Sequence, residues 1–229
     1  MILYGRNPVL EAIRGRRAVL RAWVARERDI AALPADLDAT IVSAEEIERL
    51  CSSPDHQGLA CEAGDYPYSE ANELLAADDA LLVAIDEVQD PRNLGAICRS
   101  AECAGASGVV MPERRSAQIT PTVCRASAGA VEHLAIARVR NLADYLGHAK
   151  QAGAWIYGAD AKAAVPYTQP DYRGRVVLVL GSEGKGLRKR VADSCDQLVS
   201  VPIKGRIDSL NVSAVAAVLL YEAVRQRTN

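Results

Sequence analysis

The stretch that decides the fold of this chain is Val201-Pro202-Ile203-Lys204-Gly205-Arg206-Ile207-Asp208-Ser209-Leu210-Asn211-Val212-Ser213, which runs into an apolar helical pattern at residues 214–224. The pattern predicts a strand that ends at Pro202, a polar loop, and a helix that begins near Ser209 and Asn211. At a helix start, free backbone amides and capping side chains face the preceding loop. A serine there is as often a simple cap as part of a ligand site. Asn211 favours the ligand site, because its amide is a poor helix former with two donors and an acceptor to satisfy.

Apolar strand patterns alternate with helical patterns before this stretch. The predicted strands are residues 81–85, 108–111, 133–139, 154–158, 175–180 and 198–203. Continuous Val, Leu and Ile runs separated by helices predict an α/β fold with a parallel sheet covered on both faces. Ligands of such sheets bind beyond the carboxyl ends of the strands. Two further segments with polar candidates, residues 90–100 and 180–187, also follow predicted strand ends.

A smaller α/β domain is predicted for residues 1–64. Its expected elements are helices near 8–14 and 44–51 and strands at 19–24, 40–42 and 58–62. Residues 65–76 form the expected linker, because Pro67 and several polar residues interrupt the patterns there. Residues 77–229 then form the larger domain.

The composition excludes several classes of protein. The chain has 229 residues, 49% of them hydrophobic and 24% charged, which is enough to bury a substantial core. A signal-peptide pattern is not evident and no run approaches the ~18 apolar residues of a membrane span, so we expect a cytoplasmic protein without membrane contact. The six cysteines form no Cys-x-x-Cys pair and only three histidines accompany them. Neither a metal site nor a disulfide scaffold is therefore expected, and buried free thiols are favoured.

The net charge of −2 is unevenly distributed along the chain. Residues 1–30 carry seven Arg against three acidic residues, 31–90 carry one Arg against fifteen, and 91–229 carry nineteen Lys and Arg against eleven. Local charge decides binding, so the two basic segments permit RNA as a partner. Solvated surfaces are the alternative.

Residues 181–186, Gly-Ser-Glu-Gly-Lys-Gly, form a glycine-rich loop after a predicted strand. Three glycines let the backbone approach a ligand closely and permit positive φ. The spacing excludes a phosphate-binding P-loop, because Leu187 stands where that motif requires lysine. The loop also follows the penultimate strand, whereas the Rossmann glycine loop follows the first. An ordinary turn between strand and helix is the alternative.

Asn93 and Arg99 lie six residues apart beside a helix start that Asp90 and Pro91 indicate. Six residues do not bring two side chains to one helix face, so we predict Asn93 in the loop and Arg99 on the helix. An unpaired arginine is costly to bury among apolar neighbours, which suggests an anion near Arg99. A structural ion pair is the alternative.

Together, the three segments resemble the three motifs of the SpoU/TrmH family of SPOUT RNA 2′-O-ribose methyltransferases, in the family's order. Residues 4–12 and 56–58 resemble the N-terminal domain of the subgroup that includes the bacterial 23S rRNA guanosine 2′-O-methyltransferases, so the resemblance covers almost the whole chain. It implies a parallel-sheet SPOUT domain with a C-terminal deep trefoil knot, preceded by a small α/β substrate-binding domain resembling a ribosomal protein. It also implies a homodimer that binds S-adenosyl-L-methionine in the knotted loops.

The resemblance further implies roles for individual residues. The resemblance implies catalytic roles for Asn93, Arg99, Glu183, Ser209 and Asn211. It implies that the cofactor is contacted by Gly181, Ser182, Val201, Ile203 and Leu210. It implies that RNA is contacted by Arg114, Arg115, Arg6 and Asn7. Arg14, Arg16, Arg17 and Arg21 would extend the phosphate-binding face of the N-terminal domain. In the family, the residue matching Arg99 is proposed to take the 2′-hydroxyl proton. Arginine is always protonated and has no acceptor, so we expect it to bind the ribose oxygen and phosphate while phosphate or water accepts the proton.

The expected activity is S-adenosylmethionine-dependent methylation of a ribose 2′-hydroxyl, with a guanosine of 23S rRNA as the target. A tRNA target is the nearest alternative, because the catalytic motifs are shared and only the N-terminal domain argues for rRNA. A non-catalytic RNA-binding ribosome assembly factor is a third reading. The five intact polar residues argue against it, because a mere binder has no need of all of them.

Overall fold

The structure is a computed structural model that describes residues 1–228, which form two β-sheets with their helices. The first part contains β1 (Ile2–Tyr4), α1 (Arg6–Arg14), β2 (Val19–Val24), α2 (Glu27–Ile30), β3 (Ala39–Ile41), α3 (Ala44–Cys51) and β4 (Leu59–Ala63). Its sheet has the order β1-β4-β2-β3. Strand β4 is antiparallel to both neighbours and β3 is parallel to β2.

The second part is built on a seven-stranded sheet. Its elements are β5 (Leu81–Asp86), α4 (Pro91–Cys103), β6 (Gly108–Pro112), α5 (Pro121–Ala126), β7 (Ile136–Val139), α6 (Leu142–Gln151), β8 (Trp155–Ala159), β9 (Val165–Pro166), β10 (Val176–Gly181), α7 (Lys189–Asp193), β11 (Gln197–Ser200) and α8 (Val212–Thr228). The order is β7-β6-β5-β10-β8-β11-β9, and every pair is parallel. The prediction of an α/β fold with a parallel sheet is confirmed.

The two central strands, β5 and β10, end side by side, with Gly181 in register with Asp86. Helices α4, α5 and α8 cover one face of the sheet, and α6 and α7 cover the other. Helix α8 packs on α4 and on β10, so the end of the described chain returns to the middle of the sheet. The trefoil knot implied by the family resemblance stays a prediction.

Several element boundaries differ from the sequence prediction. Strand β11 ends at Ser200 and not beyond Pro202, since proline has no N–H to donate to a strand ladder. Strand β7 begins at Ile136, because residues 130–132 form a turn of 3₁₀ helix. The sequence patterns did not indicate β1 and β9, which are only three and two residues long. Both pair with segments distant in sequence, and no local pattern reports such pairing.

The two sheets share one hydrophobic core. A single cluster of buried residues includes Leu3, Val24 and Leu59 from the N-terminal sheet and Val123 and Leu219 from the α4–α5–α8 side of the large sheet. The expected linker belongs to this interface too. The Tyr66 hydroxyl donates to the carbonyl oxygens of Val131 and Leu134 at 2.8 and 2.9 Å. The N-terminal part is therefore docked firmly on the rest of the chain.

A buried ion pair crosses this interface. The Arg17 guanidinium donates to both carboxylate oxygens of Glu132, at 2.8 and 2.9 Å, and each side chain is only 1% exposed. Burial raises the pKa of Glu132 above its ordinary value of 4.5, and the charge of Arg17 opposes that rise. The placement of Arg17 on a phosphate-binding face was wrong. Its charge is used inside the protein, and Glu132, which the sequence left without a role, is its partner.

Replacing Glu132 by alanine should lower the free energy of unfolding by about 3–5 kcal/mol, because the change leaves Arg17 buried without a counter-charge. Urea denaturation measures this. The matched control is Glu11→Ala, which removes a second, half-exposed cross-domain contact in which Glu11 Oε2 lies 2.8 Å from His133 Nε2. That change should cost no more than about 1 kcal/mol. Equal losses of unfolding free energy in the two variants would contradict the conclusion that Glu132 compensates the buried charge of Arg17.

The expectation of buried thiols holds for half of the cysteines. Cys61, Cys98 and Cys124 are buried, and burial raises the pKa of each to about 12. Cys51 and Cys195 are partly buried, and Cys103 is exposed at the end of α4, where the expectation was wrong.

Candidate active site

The glycine-rich loop leaves the central strand β10 and closes on itself. The Ser182 N–H donates to the Gly186 carbonyl oxygen and the Gly186 N–H to the Ser182 carbonyl oxygen, at 3.2 and 3.0 Å. Gly184 and Gly186 have φ of 78° and 67°, the positive values predicted for this loop. Gly181 is needed for another reason. A Cβ atom on it would lie 2.2 Å from the Gly186 carbonyl carbon, so the loop can close only over a bare backbone.

Helix α4 begins at the carboxyl end of the sheet, and a connection of four residues separates it from the end of β5. The Asp90 carboxylate accepts a hydrogen bond from the Arg92 N–H at 2.8 Å, and Pro91 occupies the first helical turn. Asn93 therefore lies within the first turn of the helix, and its predicted place in the loop was wrong. The helix start that Asp90 and Pro91 indicate is correct, and only the position of Asn93 relative to it was wrong.

A chain of hydrogen bonds joins the three sequence motifs. Asn93 Nδ2 donates to Glu183 Oε1, across 90 residues of sequence. Asn211 Nδ2 donates to Asn93 Oδ1 at 3.0 Å, across 118 residues of sequence counted from Asn93. Asn93 is thus held by its oxygen on one side and by its nitrogen on the other, which determines the orientation of its amide. We refer to Glu183, Asn93 and Asn211 as the amide chain.

Asn211 is also the cap of α8. Its Oδ1 accepts from the Ser213 N–H at 2.8 Å and from the Ser213 hydroxyl at 2.6 Å. Ser209 makes no part of this cap. Its hydroxyl donates to the Asp208 carboxylate at 3.3 Å and is exposed in the loop before the helix. The helix start predicted at both residues is therefore correct for Asn211 and wrong for Ser209.

Arg99 projects from the solvent side of α4, whose opposite face buries Leu94, Ile97 and Cys98. Among residues 1–228, no carboxylate forms an ion pair with Arg99, which removes the structural alternative considered from the sequence. The guanidinium lies close enough to Cys103 to lower the pKa of that thiol, against the larger, raising effect of burial. An exposed arginine of this kind is open to an anionic ligand.

A second cluster, which the sequence motifs did not indicate, lies at the same edge of the sheet. Asp86, the last residue of β5, is fully buried, and its carboxylate accepts from the Arg188 backbone N–H at 2.8 Å and from Arg188 Nε at 2.7 Å. Arg188 Nη1 also lies 3.1 Å from Glu87 Oε1. An aspartate that ends an otherwise apolar strand is the one sequence signal that could have indicated this cluster.

The remaining cofactor candidates lie in the segment between β11 and α8. Val201 and Ile203 are half-buried, and Leu210 is 46% exposed beside the still more exposed Ile207. This segment leaves the carboxyl end of β11 and ends at Asn211, where the amide chain joins it to α4. Exposed apolar side chains beside polar loops are suited to hold the flat, apolar faces of a ligand.

The RNA-binding candidates lie on two surfaces. Arg114 and Arg115 are exposed after β6, with Arg115 Nη1 3.6 Å from Glu87 Oε1. Arg6 and Asn7 are exposed at the start of α1, where Arg6 pairs with Asp29 at 2.8 Å. The exposed arginines of this domain have partners as well: Arg14 pairs with Glu11, Arg21 with Glu62, and Arg16 donates to the Leu134 carbonyl oxygen. Surface pairs of this kind are weak and can be exchanged for phosphate.

His56 belongs to an ordered turn. It is buried, and its Nδ1 accepts from the Gly58 N–H at 3.0 Å. The neighbouring Gln57 side chain accepts from the Arg6 N–H at 2.9 Å and so satisfies the start of α1. His56 therefore shapes a turn and needs no chemical role to explain its position.

The family is decided by two matches that together cover most of the chain. Residues 80–221 match the model of the SpoU rRNA methylase family, and residues 2–69 match the model described as RNA 2′-O ribose methyltransferase substrate binding. The chain belongs to the SpoU rRNA methylase family. It is an RNA 2′-O ribose methyltransferase whose methyl donor is S-adenosylmethionine.

Individual SpoU proteins extend the comparison. A Bacillus subtilis relative named putative TrmH family tRNA/rRNA methyltransferase YacO is 36% identical over 236 residues, which cover 97% of this chain and 94% of the relative. A solved rRNA methyltransferase with bound S-adenosylmethionine from Sinorhizobium meliloti is 27% identical and superimposes with a TM-score of 0.84, over 98% of this chain and 86% of its own. The TrmH/SpoU tRNA modifying enzyme of A. aeolicus is also 27% identical, but it covers only 69% of this chain and 82% of its own, with a TM-score of 0.59.

Residues 1–228 contain neither a helix that could span a membrane nor a group of side chains that could hold a metal ion. Within residues 1–228, every helix falls short of the length and hydropathy that a membrane-spanning segment requires. In the same part of the chain, His, Cys, Asp and Glu side chains nowhere gather in groups of three or more that could hold a metal ion.

Proposed function

We propose that this SpoU methyltransferase methylates the 2′-hydroxyl of a guanosine in 23S rRNA. The N-terminal substrate-binding part supports a ribosomal target. The relative described as acting on rRNA matches 98% of this chain, whereas the relative described as modifying tRNA matches only 69% of it. A ribosomal substrate would place the enzyme in the cytoplasm. The choice of guanosine follows from the resemblance of residues 4–12 and 56–58 to the guanosine-specific subgroup.

The amide chain is the observation that carries the proposed active site. It brings Glu183, Asn93 and Asn211 together from three segments that are 90 and 118 residues apart in sequence. A helix cap or an ordinary turn would not require direct contact among them. Preorganised polar groups of this kind hold a reacting oxygen without the cost of reorganisation during the reaction.

The glycine-rich loop and the segment before α8 fit S-adenosylmethionine. Gly181 provides a backbone surface that a Cβ atom would fill, and the loop that follows it is closed by two backbone hydrogen bonds. Val201, Ile203 and Leu210 supply apolar contacts suited to a purine ring, and Ser182 supplies a hydroxyl. When bound, S-adenosylmethionine supplies the methyl group as an electrophilic sulfonium.

Arg99 positions the nucleophile in this proposal. Its guanidinium binds the ribose oxygen and the adjacent phosphate through charge-assisted hydrogen bonds and stabilises negative charge as it develops on the 2′-oxygen. The hydroxyl proton leaves to a phosphate oxygen or to water, because arginine has no lone pair to accept it. Asn93 and Asn211 orient the nucleotide, Glu183 keeps Asn93 in place, and Ser209 contacts the target nucleotide from the loop before α8.

Two basic surfaces would hold the rest of the RNA. Arg114 and Arg115 lie after β6, at the carboxyl edge of the sheet, where they can bind phosphates next to the target nucleotide. Arg6 and Asn7 lie on the N-terminal part and would contact RNA that is farther from the target nucleotide. Because that part is docked through a buried ion pair, the spacing between the two surfaces is fixed.

We further propose that the active unit is a homodimer formed through α8 and the loop before it. Exposed apolar side chains mark this region: Tyr221 is 53% exposed and Ile207 is 73% exposed. Light scattering at micromolar concentration should give twice the mass of the chain. Tyr221→Asp should shift the mass toward the monomer, whereas Trp155→Asp, which alters an equally exposed aromatic at the start of β8, should not. A monomer mass for the unaltered protein would contradict the proposal.

The activity is tested by the transfer of radiolabelled methyl groups from S-adenosylmethionine to total rRNA and, separately, to total tRNA. Both RNA pools come from cells that lack this protein. Incorporation into rRNA, mapped as an alkali-resistant dinucleotide that begins with guanosine, is the expected result.

The other outcomes distinguish the alternatives. Incorporation into tRNA alone would replace the proposed target by a tRNA while keeping the reaction. Cofactor binding without incorporation into naked rRNA, tRNA or isolated precursor ribosomal particles would favour a non-catalytic assembly factor.

A further inference from the structure

Asp86 lies beside both ends of the segment that comprises the glycine-rich loop and Leu187. Through the sheet, it is in register with Gly181, the residue from which the loop leaves β10. Through its carboxylate, it binds Arg188, the residue that follows the loop and precedes α7. The two ends of the span from Gly181 to Arg188, which encloses six residues, are therefore held by one buried side chain and its strand.

The contact with Arg188 uses both its backbone and its side chain. Asp86 Oδ2 accepts from the Arg188 N–H at 2.8 Å, and Oδ1 accepts from Nε at 2.7 Å, with Nη2 at 2.6 Å. Asp86 is 0% exposed, while the Arg188 side chain is 44% exposed. A buried carboxylate has to be compensated, so this pairing is strongly specified and leaves Arg188 little freedom.

Glu87 continues the same cluster on the other side of Asp86. Its φ is 60°, a value that is unfavourable for a residue with a side chain. In this conformation its Oε1 lies 3.1 Å from Arg188 Nη1. Unfavourable backbone conformations persist where the surrounding structure enforces them, and they concentrate at binding sites.

We propose that Asp86 and Arg188 are positioning residues for the methyl donor, which hold the two ends of the glycine-rich loop at the spacing that S-adenosylmethionine requires. The inference rests on the proposed assignment of that loop to the cofactor. Neither residue touches the reacting atoms in this proposal. Their effect is on the affinity for the cofactor and not on the methyl transfer step.

The test compares cofactor affinity with turnover in Arg188→Lys and Asp86→Asn. In Arg188→Lys, the lysine keeps the positive charge but lacks the planar guanidinium that reaches both Asp86 and Glu87. In Asp86→Asn, the asparagine keeps an oxygen that can accept from the Arg188 N–H but loses the negative charge. Calorimetric titration of the RNA-free enzyme with S-adenosylmethionine should show a Kd raised about 10- to 100-fold, the usual cost of losing a residue that orients binding groups without touching the ligand. At saturating cofactor, kcat and the KM for RNA should stay near those of the unaltered enzyme.

The matched control is Arg190→Ala, which removes another ion pair of α7. Arg190 Nη2 lies 2.6 Å from Asp144 Oδ1, but both side chains are mostly exposed and neither contacts the loop. Its Kd for S-adenosylmethionine should be unchanged. Thermal unfolding of each variant shows that the fold is kept, and the lysine and asparagine variants are used because Arg188→Ala would leave Asp86 buried and unpaired.

Three results would overturn the inference. A cofactor Kd that is no higher in folded Arg188→Lys and Asp86→Asn than in Arg190→Ala would show that the cluster only stabilises the fold. A raised KM for RNA with an unchanged cofactor Kd would assign Arg188 to the RNA instead. If the unaltered enzyme bound the cofactor but Gly181→Ala left that binding intact, the proposed loop assignment would fail and the inference with it.

Discussion

Replacement of Arg99 by alanine should lower kcat for methyl transfer by roughly 10²- to 10³-fold, the usual effect of removing one donor that stabilises developing negative charge. The Kd for S-adenosylmethionine should change little. Arg99 lies exposed on α4, and within the described part of the chain no hydrogen bond or ion pair joins its side chain to the glycine-rich loop. Single-turnover methylation and calorimetric titration measure the two quantities on the same preparation.

Arg173→Ala is the matched control for this experiment. Arg173 is another exposed arginine, with Nε 2.9 Å from the Asp171 carboxylate, and it lies just before β10 at the amino-terminal edge of the sheet. Its loss should leave both quantities unchanged. Equal losses of cofactor affinity and turnover in Arg99→Ala would refute the role given to the guanidinium. A pH profile of kcat that loses a titrating group only in this variant would restore Arg99 as the proton acceptor.

Gly181→Ala should raise the Kd for S-adenosylmethionine by about 100-fold or more, because the closed loop that binds the cofactor would then be populated to roughly 1% or less. The added methyl group would lie 2.2 Å from the Gly186 carbonyl carbon and 2.5 Å from the Leu187 nitrogen. Both neighbours are backbone atoms, so no side-chain rotation can relieve the contact. The loop has to open, and the Ser182–Gly186 hydrogen bonds are lost with it.

Gly147→Ala and Gly184→Ala separate this effect from the general cost of replacing glycine. Gly147 lies within α6, where an added Cβ atom has no neighbour within 4 Å, so binding should be unaffected. Gly184 also has open space around it but a φ of 78°, so its replacement strains the backbone without a collision. An intermediate Kd is expected for Gly184→Ala. Equal Kd values for Gly181→Ala and Gly147→Ala would show that the closed loop does not bind the cofactor.

The large sheet could be predicted from the sequence because its strands are long, apolar and separated by helices. All six predicted strands exist, and the departures concern their ends: β7 starts at Ile136 and β11 stops at Ser200. The short strands β1 and β9 could not be found, since their pairing partners are far away in sequence. Local patterns report periodicity, and pairing between distant segments leaves no such signal.

The active site was predicted as three segments, but its internal contacts were not. Spacing along the chain could not show that Asn93 lies between Glu183 and Asn211, because that arrangement depends on where β5, β10 and α8 end in space. Burial was also misjudged. Arg17 follows α1 in a run of arginines that predicts a basic surface, yet its side chain is only 1% exposed. Its burial could not be predicted, because its partner Glu132 lies 115 residues later in the sequence.

The docking of the N-terminal part has a consequence for engineering this enzyme toward another RNA. Replacement of residues 1–64 alone would place a new RNA-binding domain on a docking surface whose residues are matched to the original domain. The docking surface is formed by residues 121–134, which supply Glu132 to Arg17 and Arg125 to Asp55. A working chimera should therefore carry both segments from the same parent, although more than fifty residues, which include the linker, separate them in the sequence.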